Sequence, residues 1–123
     1  MSTILIVDDE DDVRLLLRLQ LEAEGFEVVG TAPDGASAVA ACAEVRPDAV
    51  VLDLLMPRMS GFEAIPKLRE VHPDVVIVAY TATAGDFVRD EMARQNVALV
   101  LKSGDVRVLA AAIEAGVAAV RSS

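Results

Sequence analysis

Residues 4–9 read Ile4-Leu5-Ile6-Val7-Asp8-Asp9, an apolar run that leads without a break into two carboxylates. A run of this kind predicts a strand buried on both faces, because a half-exposed strand would alternate apolar and polar residues. Three similar runs follow, over residues 49–52, 75–79 and 97–101, and a weaker, charged run over 26–29 is typical of an edge strand. The sequence therefore predicts five strands.

Segments with helical spacing of apolar residues separate these strands. The first and the last helix show it most clearly, in the residues Val13, Leu16, Leu17 and Leu21, and Val106, Leu109, Ile113, Val117 and Val120. Regular alternation of strand and helix predicts a parallel sheet with right-handed crossovers and helices on both faces. We expect an α/β fold, a doubly wound five-stranded parallel sheet of order 2-1-3-4-5 in the flavodoxin-like arrangement, as a single domain over residues 1–123.

Composition and charge exclude several classes of function. The formal charge of −9 argues against direct binding of nucleic acid, whose phosphate backbone an acidic surface repels. Cys42 is the single cysteine, so the chain forms neither an internal disulfide nor a cysteine-rich zinc site, and a reducing, cytoplasmic setting fits best. The apolar runs are too short for a membrane span or a signal peptide, so we expect no membrane partner.

Polar side chains stand where four of the five predicted strands end. Asp8 and Asp9 follow the first strand, Asp53 the third, Thr81 the fourth and Lys102 the fifth. The carboxyl ends of parallel strands meet at one edge of a sheet, and neighbouring strands lie about 4.8 Å apart. We therefore expect these side chains to lie together, with Asp53 in the middle.

The expected crowding of carboxylates predicts a metal site. Three carboxylates beside buried strands repel one another, so either one takes up a proton or a cation neutralises them. Oxygen ligands without a nearby His or Cys favour Mg²⁺, which keeps positions for water and phosphate oxygens. Asp53 is then the best-placed nucleophile toward phosphorus, and Thr81 and Lys102 stabilise the charge on the transferring oxygens.

Each of these residues also has a plainer interpretation when taken alone. Acidic residues over 8–12 are equally typical of a helix start, where they complement the helix dipole. Asp53 alone suits a turn, Thr81 a strand end, and Lys102 a solvated surface. The joint placement at four strand ends favours a functional site.

The motifs resemble the receiver domain of two-component response regulators, the CheY-like family. They are Ile4-Leu5-Ile6-Val7-Asp8-Asp9-Glu10, Val51-Leu52-Asp53-Leu54-Leu55-Met56-Pro57-Arg58-Met59-Ser60-Gly61, Thr81-Ala82, and Lys102 after an apolar strand. The resemblance covers essentially the whole chain. It implies a phosphoacceptor domain that assists its own phosphorylation and dephosphorylation but is not otherwise an enzyme.

The resemblance also implies roles for individual residues. Asp8, Asp9, Asp53 and the backbone carbonyl of Leu55 would hold Mg²⁺. Asp53 would accept a phosphoryl group from a sensor histidine kinase or a phosphotransfer protein.

Three further residues, Thr81, Ala82 and Lys102, would bind the phosphoryl oxygens. The output would be a change in binding of a downstream effector, or in homodimerisation, through the face formed by helix 4, strand 5 and helix 5.

The sequence departs from the family pattern near the lysine. Leu99 stands where the family often has an aromatic switch residue, and Tyr80 does not obviously replace it, because adjacent strand residues point to opposite faces. Lys102 is followed by Ser103 rather than proline, as in receivers of the NarL/LuxR type, which are usually joined to a DNA-binding domain. A stand-alone receiver and a receiver fragment of a longer DNA-binding transcription regulator both remain open.

Two rival functions follow from the same residues. A pseudo-receiver would bind its partner regardless of phosphorylation, and Leu99 is the reason to consider it. An aspartyl-phosphate phosphatase would generally need an Asp-x-Asp motif after its first strand and a lid, and neither residues 53–55 nor the short loops provide these.

Overall fold

The computed structural model describes residues 1–82 and 84–122 as an alternation of five strands and five helices. The strands are β1 Thr3–Val7, β2 Glu27–Ala32, β3 Ala49–Leu52, β4 Val76–Thr81 and β5 Ala98–Leu101. The helices are α1 Asp11–Ala23, α2 Gly35–Val45, α3 Gly61–Val71, α4 Asp86–Arg94 and α5 Val106–Arg121.

The five strands form one parallel sheet in the order β2-β1-β3-β4-β5. The predicted fold class, strand order and alternation are therefore confirmed. Because every strand is parallel, the residues after β1, β3, β4 and β5 come together at the carboxyl edge of the sheet.

Two apolar layers cover the two faces of the sheet. Alternate residues of each central strand enter opposite layers: Leu5 packs among residues of α2 and α3, whereas Ile4 packs among residues of α1 and α5. All three of β1, β3 and β4 are almost wholly buried, which is why their sequences carry no polar alternation.

Local sequence chemistry sets the helix ends. The carboxylate of Asp34 accepts a 2.8 Å hydrogen bond from the amide of Ser37 at the start of α2, and Asp105 caps α5 in the same way. The chain leaves α1 through Gly25, whose φ of +96° suits glycine. The two aspartate caps lie in loops at the carboxyl edge, after β2 and β5, whereas Gly25 lies at the opposite edge, before β2.

The structure corrects two details of the predicted helix faces. Leu16 belongs to the predicted apolar stripe of α1, but 56% of it is exposed, and Val120 at the end of α5 is 41% exposed. Both predictions were wrong because helical spacing alone does not say how wide a stripe the sheet covers. No helix within the described residues is long and apolar enough to cross a membrane.

Candidate functional site

Asp8 and Asp53 lie side by side because their strands are neighbours. Val7 is paired with Leu52 in the β1–β3 register, so the residue after each strand emerges at the same level. The amide of Asp53 donates a 3.0 Å hydrogen bond to the carbonyl of Val7, which extends this pairing into the site. Asp8 is 1% exposed and Asp53 is 5% exposed, so both carboxylates lack most of the solvation they would have at the surface.

Lys102 follows the edge strand β5, and its long side chain reaches these two carboxylates. Its Nζ lies 2.7 Å from Oδ2 of Asp8 and 3.5 Å from Oδ2 of Asp53. Its backbone amide donates a 2.8 Å hydrogen bond to the carbonyl of Thr81, which holds the ends of β5 and β4 together. The predicted meeting of Asp8, Asp53 and Lys102 is thus confirmed as geometry, with Lys102 nearer to Asp8 than to Asp53.

The surroundings change the ionisation of Asp53 and Lys102. Burial raises the pKa of Asp53 above its ordinary value, although the amide of Leu55 and the charge of Lys102 act in the other direction. Burial by itself would lower the pKa of Lys102, but its hydrogen bond to Asp8 and the charges of both carboxylates outweigh burial and raise it. Lys102 therefore holds its proton more strongly than a lysine of ordinary pKa, and Asp53 is a more basic carboxylate than an aspartate of ordinary pKa.

A second group of acidic side chains lies at the same edge. Asp8, Asp9 and Glu10 each offer a carboxylate oxygen, and these oxygens lie within 4.8 Å of one another. The amide of Glu10 donates a 3.0 Å hydrogen bond to Oδ1 of Asp8, which folds the chain back toward the site. The set fits a hard divalent cation such as Mg²⁺, because every donor is oxygen.

Glu10 is a candidate ligand that the sequence analysis does not predict. The predicted ligands are Asp8, Asp9, Asp53 and the carbonyl of Leu55, and Glu10 enters there only as part of the motif. The sequence feature that could have indicated Glu10 is its position directly after Asp9, in a turn that brings consecutive carboxylates together. The ligand set itself stays a prediction.

Thr81 and Ala82 lie where the chain leaves β4. Thr81 is the last residue of the strand, one position inside its predicted place after the strand, and is 1% exposed. Ala82, the next residue, is exposed and carries only a methyl group. Both residues lie at the carboxyl edge, as predicted.

The loop after β3 is shaped by a close approach from α3. The amide of Leu55 donates a 3.2 Å hydrogen bond to Oδ1 of Asp53 and so fixes the orientation of that carboxylate. A Cβ at Gly61 would lie 2.5 Å from the carbonyl oxygen of Asp53, so only glycine allows the first turn of α3 to pack here. Sequence reasoning quoted Gly61 in the motif without recognising this constraint.

Comparison with known proteins identifies the family. The family model of the response regulator receiver domain matches residues 4–114 of this chain. The chain belongs to the response regulator receiver domain family. The chain is therefore a response regulator receiver domain of a two-component system.

Individual relatives show how this receiver domain occurs elsewhere. A protein-glutamate methylesterase/protein-glutamine glutaminase of Geobacter metallireducens is 48% identical over 79 residues, which are 63% of this chain and 23% of that protein. A LuxR-family response regulator structure from Aurantimonas sp. SI85-9A1 is 32% identical with a TM-score of 0.90, covering 97% of this chain and 86% of that one. The response regulator TrrA of Thermotoga maritima, solved in complex with Mg²⁺-BeF, is 32% identical with a TM-score of 0.83, covering 94% and 99%.

The receiver domain is a part of larger proteins among its curated relatives. The matched segment covers 23%, 38% and 41% of the first three of them.

Proposed function

We propose that Asp53 is the phosphoryl acceptor of this receiver domain. The observation that carries the proposal is the contact of Lys102 Nζ with both Asp8 and Asp53, at 2.7 and 3.5 Å, on the carboxyl edge of the sheet. A histidine kinase or a phosphotransfer protein would supply the group. The P–N bond of the donor histidine breaks as an oxygen of Asp53 forms a new bond to phosphorus.

The surroundings of Asp53 suit it to this attack. Its raised pKa makes its oxygens better nucleophiles than those of a surface carboxylate. The amide of Leu55 orients the carboxylate through Oδ1, and Oδ2 faces Lys102. The ammonium group thus stands where negative charge develops on the transferring phosphoryl oxygens, which is where electrostatic stabilisation has its largest effect.

Mg²⁺ is the cation that we assign to the acidic group. Asp8, Asp9 and Asp53, with the carbonyl of Leu55, would hold it, and Glu10 adds a further oxygen within reach. The ion would neutralise charge between these carboxylates and the phosphoryl oxygens. Support comes from TrrA, which is similar to this chain and was solved with Mg²⁺-BeF.

Thr81, Ala82 and Lys102 would receive the phosphoryl oxygens after transfer. Thr81 presents a hydroxyl group at the end of β4, and the small side chain of Ala82 leaves room beside it. The backbone bond from Lys102 to Thr81 keeps the two residues at a fixed spacing. Binding the phosphoryl group therefore draws on groups at the ends of two strands, β4 and β5, beside Asp53 at the end of β3.

The output belongs to the same proposal. Phosphorylation would change the binding of an effector or of a second copy through the face of α4, β5 and α5, in the cytoplasm and without direct contact with nucleic acid. The chain itself would assist only its own phosphorylation and dephosphorylation. The small fraction of the first curated relatives that it spans supports a receiver within a longer regulator.

Intact-mass measurement tests the acceptor. With Mg²⁺ and a small phosphodonor, we expect one added phosphoryl group on the full chain and none on Asp53→Asn. Asp90→Asn is the matched control, because Asp90 is an exposed aspartate on α4. An adduct that survives Asp53→Asn would reject the acceptor. A partner that binds equally well with and without the adduct would favour the pseudo-receiver, and sustained turnover of a phosphate ester would favour the phosphatase.

A further inference from the structure

The turn between β2 and α2 contacts both loops that form the carboxylate site, although none of its own residues belongs to that site. On one side, the amide of Asp8 donates a 3.1 Å hydrogen bond to the carbonyl of Ala32, the last residue of β2. On the other side, Gly35 at the first position of α2 lies against Met59, in the loop between β3 and α3. That loop also contains Leu55, whose carbonyl is one of the predicted metal ligands. One turn therefore braces two loops that enter the site.

The place of Gly35 is one where Met59 leaves no room for a side chain. A Cβ at Gly35 would lie 2.7, 2.8 and 2.9 Å from Sδ, Cγ and Cβ of Met59, and real Cβ atoms essentially never approach closer than 3.0 Å. The backbone gives no other reason for glycine, because Gly25 alone among the described glycines has a positive φ, and alanine is the better helix former. Gly35 thus leaves a notch at the start of α2, and Met59 fills it.

Met59 holds the loop against α2 more effectively than the neighbouring ion pair does. Its side chain is half-buried and packs against the apolar layer that α2 and α3 cover. Arg58, the residue before it, lies 3.6 Å from the carboxylate of Asp34, but the Arg58 side chain is 80% exposed. Exposed ion pairs contribute little to stability, because solvent screens them and two long side chains lose freedom. The packed contact is therefore the one that can fix the position of the loop.

We propose that the contact between Gly35 and Met59 positions the loop between β3 and α3 for magnesium binding, which makes both of them positioning residues of the site. This inference rests on the proposed function, because the loop carries the Leu55 carbonyl that we assign to Mg²⁺. Neither Gly35 nor Met59 is itself assigned as a ligand.

The physical basis is the small tolerance of the contact and of the ion. The Cβ of Met59 is bonded directly to the backbone, so turning the side chain does not relieve its 2.9 Å approach to a Cβ at Gly35. Either the loop or α2 must shift by about 0.5 Å to reach the 3.4 Å of an ordinary contact. Either shift changes the spacing between the two loops of the site, since the turn before α2 is bonded to Asp8 through Ala32. Mg²⁺ demands near-ideal octahedral geometry, so its affinity falls when one ligand is displaced.

Isothermal titration calorimetry with Mg²⁺ alone, on the full chain and without a phosphodonor, tests the inference. We expect Gly35→Ala to weaken Mg²⁺ binding by about tenfold or more, as is typical when a residue that orients a metal ligand is changed. Met59→Gly introduces no clash but should also weaken binding, because the loop loses its anchor. In the Met59→Gly background, Gly35→Ala should add little, because the atoms it would strike are gone. Gly85→Ala is the matched control, because Gly85 also stands at the start of a helix and a Cβ there would meet nothing within 4 Å.

Each other result of the titration counts against the inference. Wild-type Mg²⁺ affinity in Gly35→Ala or in Met59→Gly overturns it and leaves the proposed function standing. Equal weakening by Gly35→Ala in both backgrounds overturns it as well, because a contact other than the one with Met59 then carries the effect. A wild-type chain that binds no Mg²⁺ refutes the metal assignment of the proposed function, and the inference falls with it.

The amide NMR signals of the metal-free chain separate positioning from a general loss of stability. The amide of Leu55 donates a hydrogen bond to Oδ1 of Asp53, so its chemical shift reports the position of the loop relative to this carboxylate. We expect Gly35→Ala to move the Leu55 signal and Gly85→Ala to leave it in place. An unmoved Leu55 signal in Gly35→Ala, with or without a lower thermal midpoint, would show that the contact is only structural and would overturn the inference.

Discussion

Replacing Lys102 by methionine should destabilise the protein strongly when no divalent cation is present. At an effective dielectric constant of about 20, separations of 2.7 and 3.5 Å correspond to attractions of about 6 and 5 kcal/mol. Desolvation offsets much of this, and breaking a buried pair typically costs about 3–5 kcal/mol, because the remaining charge is left uncompensated. Since 21% of the Lys102 side chain faces solvent, we expect the lower end, about 3 kcal/mol.

Thermal unfolding measures this loss. At about 3–5 °C per kcal/mol for a domain of this size, Lys102→Met should lower the thermal midpoint by about 10–15 °C. Lys67→Met is the matched control, because Lys67 is the other lysine of the chain and is exposed on α3. The double variant Asp8→Asn with Lys102→Met should recover part of the loss, since it removes the charge that lost its partner. An unchanged midpoint for Lys102→Met, or an equal loss for Lys67→Met, would refute the reasoning.

Three further predictions follow from individual contacts and pKa shifts. Gly61→Ala should lower the free energy of unfolding by about 1–3 kcal/mol and slow phosphorylation, because its Cβ would lie 2.5 Å from the carbonyl oxygen of Asp53. Denaturant unfolding measures this loss. Gly104→Ala is the control, because its Cβ would meet only an ordinary 3.4 Å contact. Burial raises the pKa of Asp53, so the stability that its protonated form contributes is present at acidic pH and is lost as pH rises through the pKa of the folded state. Asp53→Asn without divalent cations should therefore melt above the wild type at neutral pH and converge with it in acid, and a lower midpoint at neutral pH would contradict the prediction. Hydrogen bonds from the side chain and amide of Arg107 lower the pKa of Asp105 from 3.8 to about 2. The stabilisation from this cap is therefore present above pH 3.8 and is lost as pH falls toward 2. An NMR titration of the Asp105 carboxyl carbon with a midpoint near 3.8 would show that the cap is not formed.

Sequence reasoning was most reliable where burial on both faces dictates composition. The apolar runs of β1, β3 and β4 have no polar alternation because helices cover both sides, and this pattern led directly to the parallel sheet. The meeting of Asp8, Asp53 and Lys102 followed from strand order, because parallel strands end at one edge. Strand order alone therefore predicts which of these residues lie together at the carboxyl edge.

Contacts that depend on the conformation of individual side chains could not be predicted from the sequence. Strand spacing did not show that Lys102 would bond Asp8 more closely than Asp53, because the choice depends on the path of a flexible stem. Periodicity also failed for Leu16, since the sheet covers a narrower stripe of α1 than the apolar residues occupy. The close packing of Gly61 depends on how the start of α3 approaches the backbone of Asp53, and no local sequence pattern predicts that distance.

The pairing of Lys102 with two carboxylates has a chemical consequence beyond stability. Acylating reagents attack the neutral amine of lysine, and the raised pKa of Lys102 keeps that form scarce, while Lys67 stands open to solvent. The ratio of modification at these two positions is therefore an internal gauge of whether the Asp8 ion pair is closed. Peptide mapping after brief acylation would follow it in mixtures, without purification of the modified forms and without any label attached in advance.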